Sequence, residues 1–213
     1  MKGLLVKDFC LLRNQKRLLP IFLILTAWFT VLHTDGFSFP FLGMMAVVLA
    51  MSTVSYDEVD RGMTHLFTLP FDRRAYVLEK YVLAGILLCC AVVLALVSTL
   101  IRQLVAHDVD MGSVRIALVL ALALGAIFIS IMLPIRIRFG GEKGMIIFYV
   151  VFAVFALLAV AVARLLPKQA EAVLDGVTAL SPATLAAILF AVAAALLVVS
   201  CFLSVKWINQ KEF

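Results

Sequence analysis

Charge is missing from most of this chain. All 31 Lys, Arg, Asp and Glu residues fall in seven islands, 1–17, residue 35, 57–80, 102–115, 136–143, 164–175 and 206–213. The islands leave six uncharged, apolar stretches of 17, 21, 21, 20, 20 and 30 residues. A helix crosses a hydrocarbon core with roughly 17–25 such residues. The pattern predicts an all-α integral membrane protein, one domain over 1–213, with six transmembrane helices near 18–34, 37–56, 81–101, 116–135, 144–163 and 182–205.

Composition leads to the same class. With 65% hydrophobic residues, 15% charged residues and a mean hydropathy of +1.15, a 213-residue chain has more apolar surface than one soluble core can hide. Barrel strands would alternate apolar with polar residues, whereas these stretches are apolar all round, so the spans are helices. The first is the shortest. Its basic lead-in resembles a signal peptide, but no small-x-small cleavage site follows Leu32, so the span is expected to stay attached, with Trp28 at one interface and Lys16 and Arg17 reaching back to the other.

Basic residues are retained on the cytoplasmic side, and the seven islands hold 5, 0, 4, 2, 3, 2 and 2 of them in order. Alternate islands therefore carry 14 against 4, which predicts a multi-pass protein of the cell (inner, cytoplasmic) membrane with both termini cytoplasmic. The net charge of +5 follows from this topology. No basic surface interleaved with aromatics is present, so nucleic acid is not an expected partner.

The sites of common chemistries are missing too. Cys10, Cys89, Cys90 and Cys201 lie in the N-terminal segment or within spans, which argues against structural disulfides. His33, His65 and His107 stand in separate loops without metal-ligand spacing. No H-E-x-x-H, G-x-S-x-G or intramembrane carboxylate pair occurs, and Gly140-Gly141-Glu142-Lys143-Gly144 lacks the spacing and hydroxyl of a phosphate-binding loop. Any ATP that drives this protein is hydrolysed on another chain.

Three cytoplasmic segments carry more pattern than a linker needs. In 1–17, Met1, Leu4, Leu5, Phe9, Leu11 and Leu12 share one half of a helical wheel and Lys2, Lys7, Arg13, Asn14 and Arg17 the other, as in a helix lying in the membrane interface. Asp8 interrupts its apolar half, and a basic retention signal is the other reading. In 57–80, Met63, Leu66 and Phe67 at i, i+3, i+4 follow acids and precede Pro70, which reads as a short amphipathic helix or as a solvated loop packed on its own bundle. In 133–144, Arg136, Arg138, Glu142 and Lys143 flank a glycine turn between membrane anchors. Small residues also recur every four positions at Ala117, Ala121 and Gly125 and at Ala187, Ala191 and Ala195, a spacing that suits close helix packing within the chain or at a dimer seam.

The opening M-K-G-L-L-V-K-D, the Y-D-E of 56–58 followed by T-L-P-x-x-R-x-x-Y-V-x-x-K-Y over 68–81, and the P-x-x-x-x-F-G-x-E-K-G of 134–144 resemble the small six-span type-2 ABC transporter permeases, in the family's order and over the whole chain. The chain departs from the family's habit at Asp72, often a small hydroxyl residue, and at Met145, often an arginine. The resemblance implies a permease subunit of an ATP-driven exporter, itself neither an enzyme nor a cofactor binder. Its partners would be a second permease copy or paralogue and two ATPase subunits carrying ATP and Mg. It further implies that 1–17 is an interfacial helix and that the loop over 57–80 is a coupling segment. There Asp57, Glu58 and Arg61 would make polar contacts and Met63, Leu66 and Phe67 an apolar plug. Uncharged spans suit a peptide, antibiotic or other amphiphile better than a fixed ion. A non-enzymatic membrane scaffold or sensor subunit is the alternative. The topology has a direct check: reporters fused at either terminus should both report the cytoplasm, and a periplasmic signal from one alone would break the six-span count.

Overall fold

The structure, a computed structural model, describes residues 2–14, 38–58, 72–106, 111–140 and 182–210, with scattered positions between 21 and 28 and between 143 and 164. The described elements are all helical: α1 (Lys2–Asn14), α2 (Ser38–Glu58), α3 (Arg73–Ala106), α4 (Met111–Phe139) and α5 (Pro182–Gln210). Helices α3, α4 and α5 are long and apolar enough to cross a membrane, and α2 holds a shorter apolar segment, Phe41–Asp57. Among the described residues three full-length spans are therefore seen, not six. The spans expected at 18–34 and 144–163 fall mainly outside those residues, although the positions described within them are helical, among them the exposed Ile24, Trp28, Tyr149 and Val154.

Helix ends follow caps, not the edges of the charge islands. At 34 residues α3 begins eight positions ahead of the uncharged stretch at 81 and runs for about 51 Å. Asp72 stands at its N-cap, where its carbonyl accepts from the amides of Ala75 (2.9 Å) and Tyr76 (3.3 Å). Aspartate and small hydroxyl residues share this preference, so the chain's departure from the family's habit leaves the local role intact. At the far end of α4, Gly140 adopts φ 85°, a conformation that suits glycine, and its amide donates to the Arg136 carbonyl at 2.9 Å. Arg136 and Arg138, expected in the loop, thus lie in the last turns of α4.

Helices α2, α3 and α4 share the core. Val47, Met51 and Val54 pack with Tyr76, Val77 and Leu88 and with Ile129, Leu133 and Ile137, and a second cluster continues along the same three helices through Phe39, Leu42, Ala91, Ala95, Ala117 and Ala121. The row Ala117, Ala121 and Gly125 is buried in that packing, and a Cβ at Gly125 would lie 2.5 Å from Leu88 Cδ1. The row Ala187, Ala191 and Ala195 stands exposed on α5.

Helix α5 packs chiefly on α4 through one narrow stripe, Ala193, Ser200, Ser204 and Ile208, while Ile188, Phe190, Val198 and Phe202 face outward as lipid-facing residues do. A polar seam holds this stripe. Pro134 lies inside α4 and has no amide to offer the carbonyl of Ser130, four residues earlier. Ser200 Oγ of α5 donates to that carbonyl at 2.6 Å. Its single proton is then committed, so Tyr81 of α3 donates to Ser200 (2.5 Å) and accepts from Ser204 (2.9 Å). Ser200→Ala is expected to destabilise the chain by about 1–3 kcal/mol by orphaning a buried carbonyl. Pro134→Ala, which restores the missing donor, should recover part of that loss in thermal unfolding of the detergent-solubilised protein, and additive costs would refute this pairing.

Candidate functional site

Four of the seven islands meet at one end of the bundle. The C-terminal turn of α2, the first turns of α3 and the buried face of α1 enclose a group of ionised side chains. Leu4 and Asp8, one turn apart on α1, are buried against the bundle, while Val6, Phe9 and Cys10 are exposed. Asp8 is therefore no flaw in an amphipathic pattern; it is the docking residue of α1.

Lys80 lies at the centre, 1% exposed. Its ammonium pairs with Asp8, sits 2.7 Å from Asp57 Oδ2, donates to Thr53 Oγ1 at 3.3 Å and lies 5.3 Å from the centroid of the Tyr76 ring. Asp57 in turn pairs through Oδ1 with Lys7 and accepts from the Tyr76 hydroxyl at 3.1 Å. Lys7 also lies 3.3 Å from Asp8 and remains about one-third exposed, its side chain at 31%. Burial alone would lower the Lys7 pKa, but Asp57 and then Asp8 outweigh it, and the ammonium is held above its ordinary range. An ion pair cut off from water is retained only when each charge finds several partners, as Lys80 does here.

Three further arginines extend the same end. Arg73, at the start of α3, donates to the carbonyls of Ile208 (3.2 Å) and Asn209 (3.3 Å), placing a cation on the C-terminus of α5. Arg136 is buried in α4 and reaches across to α2, where it donates to Ser55 Oγ and to the Met51 carbonyl at 3.4 Å. Arg138 is exposed and stacks over Trp207 of α5 at 4.6 Å and over Phe139 at 5.3 Å.

The expected site residues thus divide. Asp57 faces inward and is bound within the chain. Glu58 closes α2, and Lys143 is helical and exposed. Arg61, Met63, Leu66, Phe67 and Glu142 lie outside the described residues, as does the short helix expected between the second and third spans. Sequence reasoning did not find Lys7, Asp8, Tyr76 and Lys80 as a unit. Their signal was present, since K-D, Y-D-E and Y-V-x-x-K-Y contribute complementary charges from three separate islands.

A family model described as ABC-2 family transporter protein matches residues 3–209, and the chain belongs to that family. It is a multi-pass membrane protein, the permease component of an ABC transporter, a class of subunit that works with a separate ABC ATPase. No curated protein and no solved structure matches the chain.

Lys80→Met should leave Asp8 and Asp57 without the buried cation between them, bridged only by the partly exposed Lys7, and destabilise the chain by about 3–5 kcal/mol. Adding Asp8→Asn should return part of that stability. A cost below about 1 kcal/mol for Lys80→Met, typical of an exposed pair, would show that the cluster is solvated.

Proposed function

We propose that the chain is one permease half of an ATP-driven exporter in the cell membrane, with six spans and both termini cytoplasmic. In this reading the polar end of the bundle faces two ATPase subunits, which carry the ATP and Mg. A second permease copy or paralogue completes the pathway. The cargo is a peptide, antibiotic or other amphiphile, in keeping with spans that carry no charge.

The observation that carries the reading is the gathering of islands 1–17, 57–80, 136–143 and 206–213 on one buried ionic cluster and its arginine neighbours. The chain leaves that cluster at Asp57, at the end of α2, and returns to it at Tyr76 and Lys80, in the first turns of α3. A push on the segment between them would therefore pass into α2 and α3 together, and these helices share their core with α4. Glu58 and Arg61 would meet the ATPase through polar contacts, and Met63, Leu66 and Phe67 would seat in it. Asp57 would hold the loop's base rather than touch the partner. Arg138 and Lys143, both exposed, would border the contact with Glu142, while Arg136 braces α4 on α2. Movement of this end against the rest of the bundle would switch access between the two sides.

Three experiments test this. The tagged protein, purified in mild detergent from its native host, should bring down an ABC ATPase; its absence, with such a subunit expressed, would refute the assignment. Leu66→Asp with Phe67→Asp should leave membrane insertion intact and abolish ATPase recruitment or transport. Unchanged transport would remove the coupling role from 57–80, and normal function after charge reversal at Glu58 and Arg61 would favour a scaffold or sensor subunit.

A further inference from the structure

Glu79 stands beside the ionic cluster and takes no part in the pairing described so far. It lies in the charged turns of α3 that precede the uncharged stretch 81–101, and so outside the membrane-crossing part of the helix. The residue is 1% exposed, and among the described residues neither carboxylate oxygen has a hydrogen-bond partner. Lys80 Nζ is 3.9 Å from Oε2, too far for a hydrogen bond. Among the described residues Asp8 Oδ1 likewise has no hydrogen bond, its neighbour being the Lys7 ammonium at 3.3 Å, and Asp8 acts on the Glu79 carboxyl through its charge and through a hydrogen bond that the protonated acid can donate.

Among the described residues the charges of this cluster do not balance. From α1 the group includes Lys7 and Asp8, from α2 Asp57 with the neutral Thr53, and from α3 Tyr76, Glu79 and Lys80. With every acid ionised and Tyr76 neutral, three carboxylates face two ammoniums. An uncompensated carboxylate removed from water is strongly disfavoured, and two neighbouring carboxyls in such a site are reconciled by one proton between them.

We propose that Glu79 and Asp8 share one proton, and that this proton latches α1 onto the bundle. With the proton in place the cluster is neutral and α1 is docked through Asp8. Without it the excess negative charge on Glu79 repels Asp8 and weakens the docking of α1 on α2 and α3. Burial pushes the Glu79 carboxyl up from its ordinary 4.5, Lys80 opposes this, Asp8 adds to it, and the result is about 7. The docked state therefore binds more protons than the undocked state between those two values. The latch is strongest at the acid end of this window, weakens as pH rises through it and stays weak above it. Near neutrality, small changes of pH on this side of the membrane set how firmly α1 is held.

The test uses the full chain in lipid nanodiscs. Infrared difference spectra should show a protonated-carboxyl C=O band that titrates with a midpoint of about 7 and disappears in Glu79→Gln. Carbon-13 labelling of the glutamate carboxyls in the unmutated protein should shift the band, which assigns it even if the variant fails to fold. Amide exchange in 4–12, corrected for the intrinsic rate, should become about tenfold faster between about pH 6 and pH 8, the change that a carboxyl raised this far confers. Glu79→Gln should remove that dependence and keep α1 protected at both values. No glutamate band, a band with an ordinary carboxyl midpoint, or α1 protection that follows potassium and not pH would each overturn the proposal, the last by assigning the missing charge to a metal cation.

Discussion

Burial of the Lys80 ammonium between Asp8 and Asp57 is the constraint on which this end of the molecule depends. A lone ammonium removed from water would be neutralised or drawn out to solvent. Here two carboxylates, the Thr53 hydroxyl and the Tyr76 ring surround it, and these groups come from three different elements. Satisfying one charge thus fixes the relative positions of α1, α2 and α3. The same arrangement makes the joint costly to break at any single member, because each removal leaves an opposite charge buried and unmatched. Under the proposed function, such a joint would carry a push at the polar end into the bundle.

A second, uncharged fastening holds the helices deeper in the bundle. Pro134 takes an amide away from α4, and the freed Ser130 carbonyl is answered by Ser200 from α5. In hydrocarbon no water can serve as a substitute partner, so the proline at once weakens α4 and gives α5 a reason to dock there. Tyr81, one residue after Lys80, joins both serines to α3. The ionic cluster and the polar seam are therefore adjacent along α3.

Much of the architecture was legible in the chain. The uncharged stretches located α3, α4 and α5, because a helix that crosses lipid must be apolar all round and that requirement is written residue by residue. Their ends were less legible. Charged turns such as Arg73–Lys80 continue a helix into the polar zone as readily as they end it, and the boundary is set by the N-cap at Asp72 and the glycine at 140. The site was legible only in part. Asp57 was singled out as an outward contact, and Asp8 was read as an interruption of an amphipathic face. Both are buried partners of the same lysine.

By itself the sequence determined the membrane class, the helical form of the spans and, through the three motif patches, the family. Each of these follows from composition or from order along the chain, which no folding is needed to read. Only the tertiary structure decided what the charges in those patches do. Whether an acid faces solvent, a partner or a lysine 72 residues away depends on which helix faces are brought together, and Coulomb attraction acts on distance in space, not separation in sequence. The K-D, Y-D-E and Y-V-x-x-K-Y patches look like three surfaces in the chain, and become one buried joint because α1, α2 and α3 converge at the polar end of the bundle.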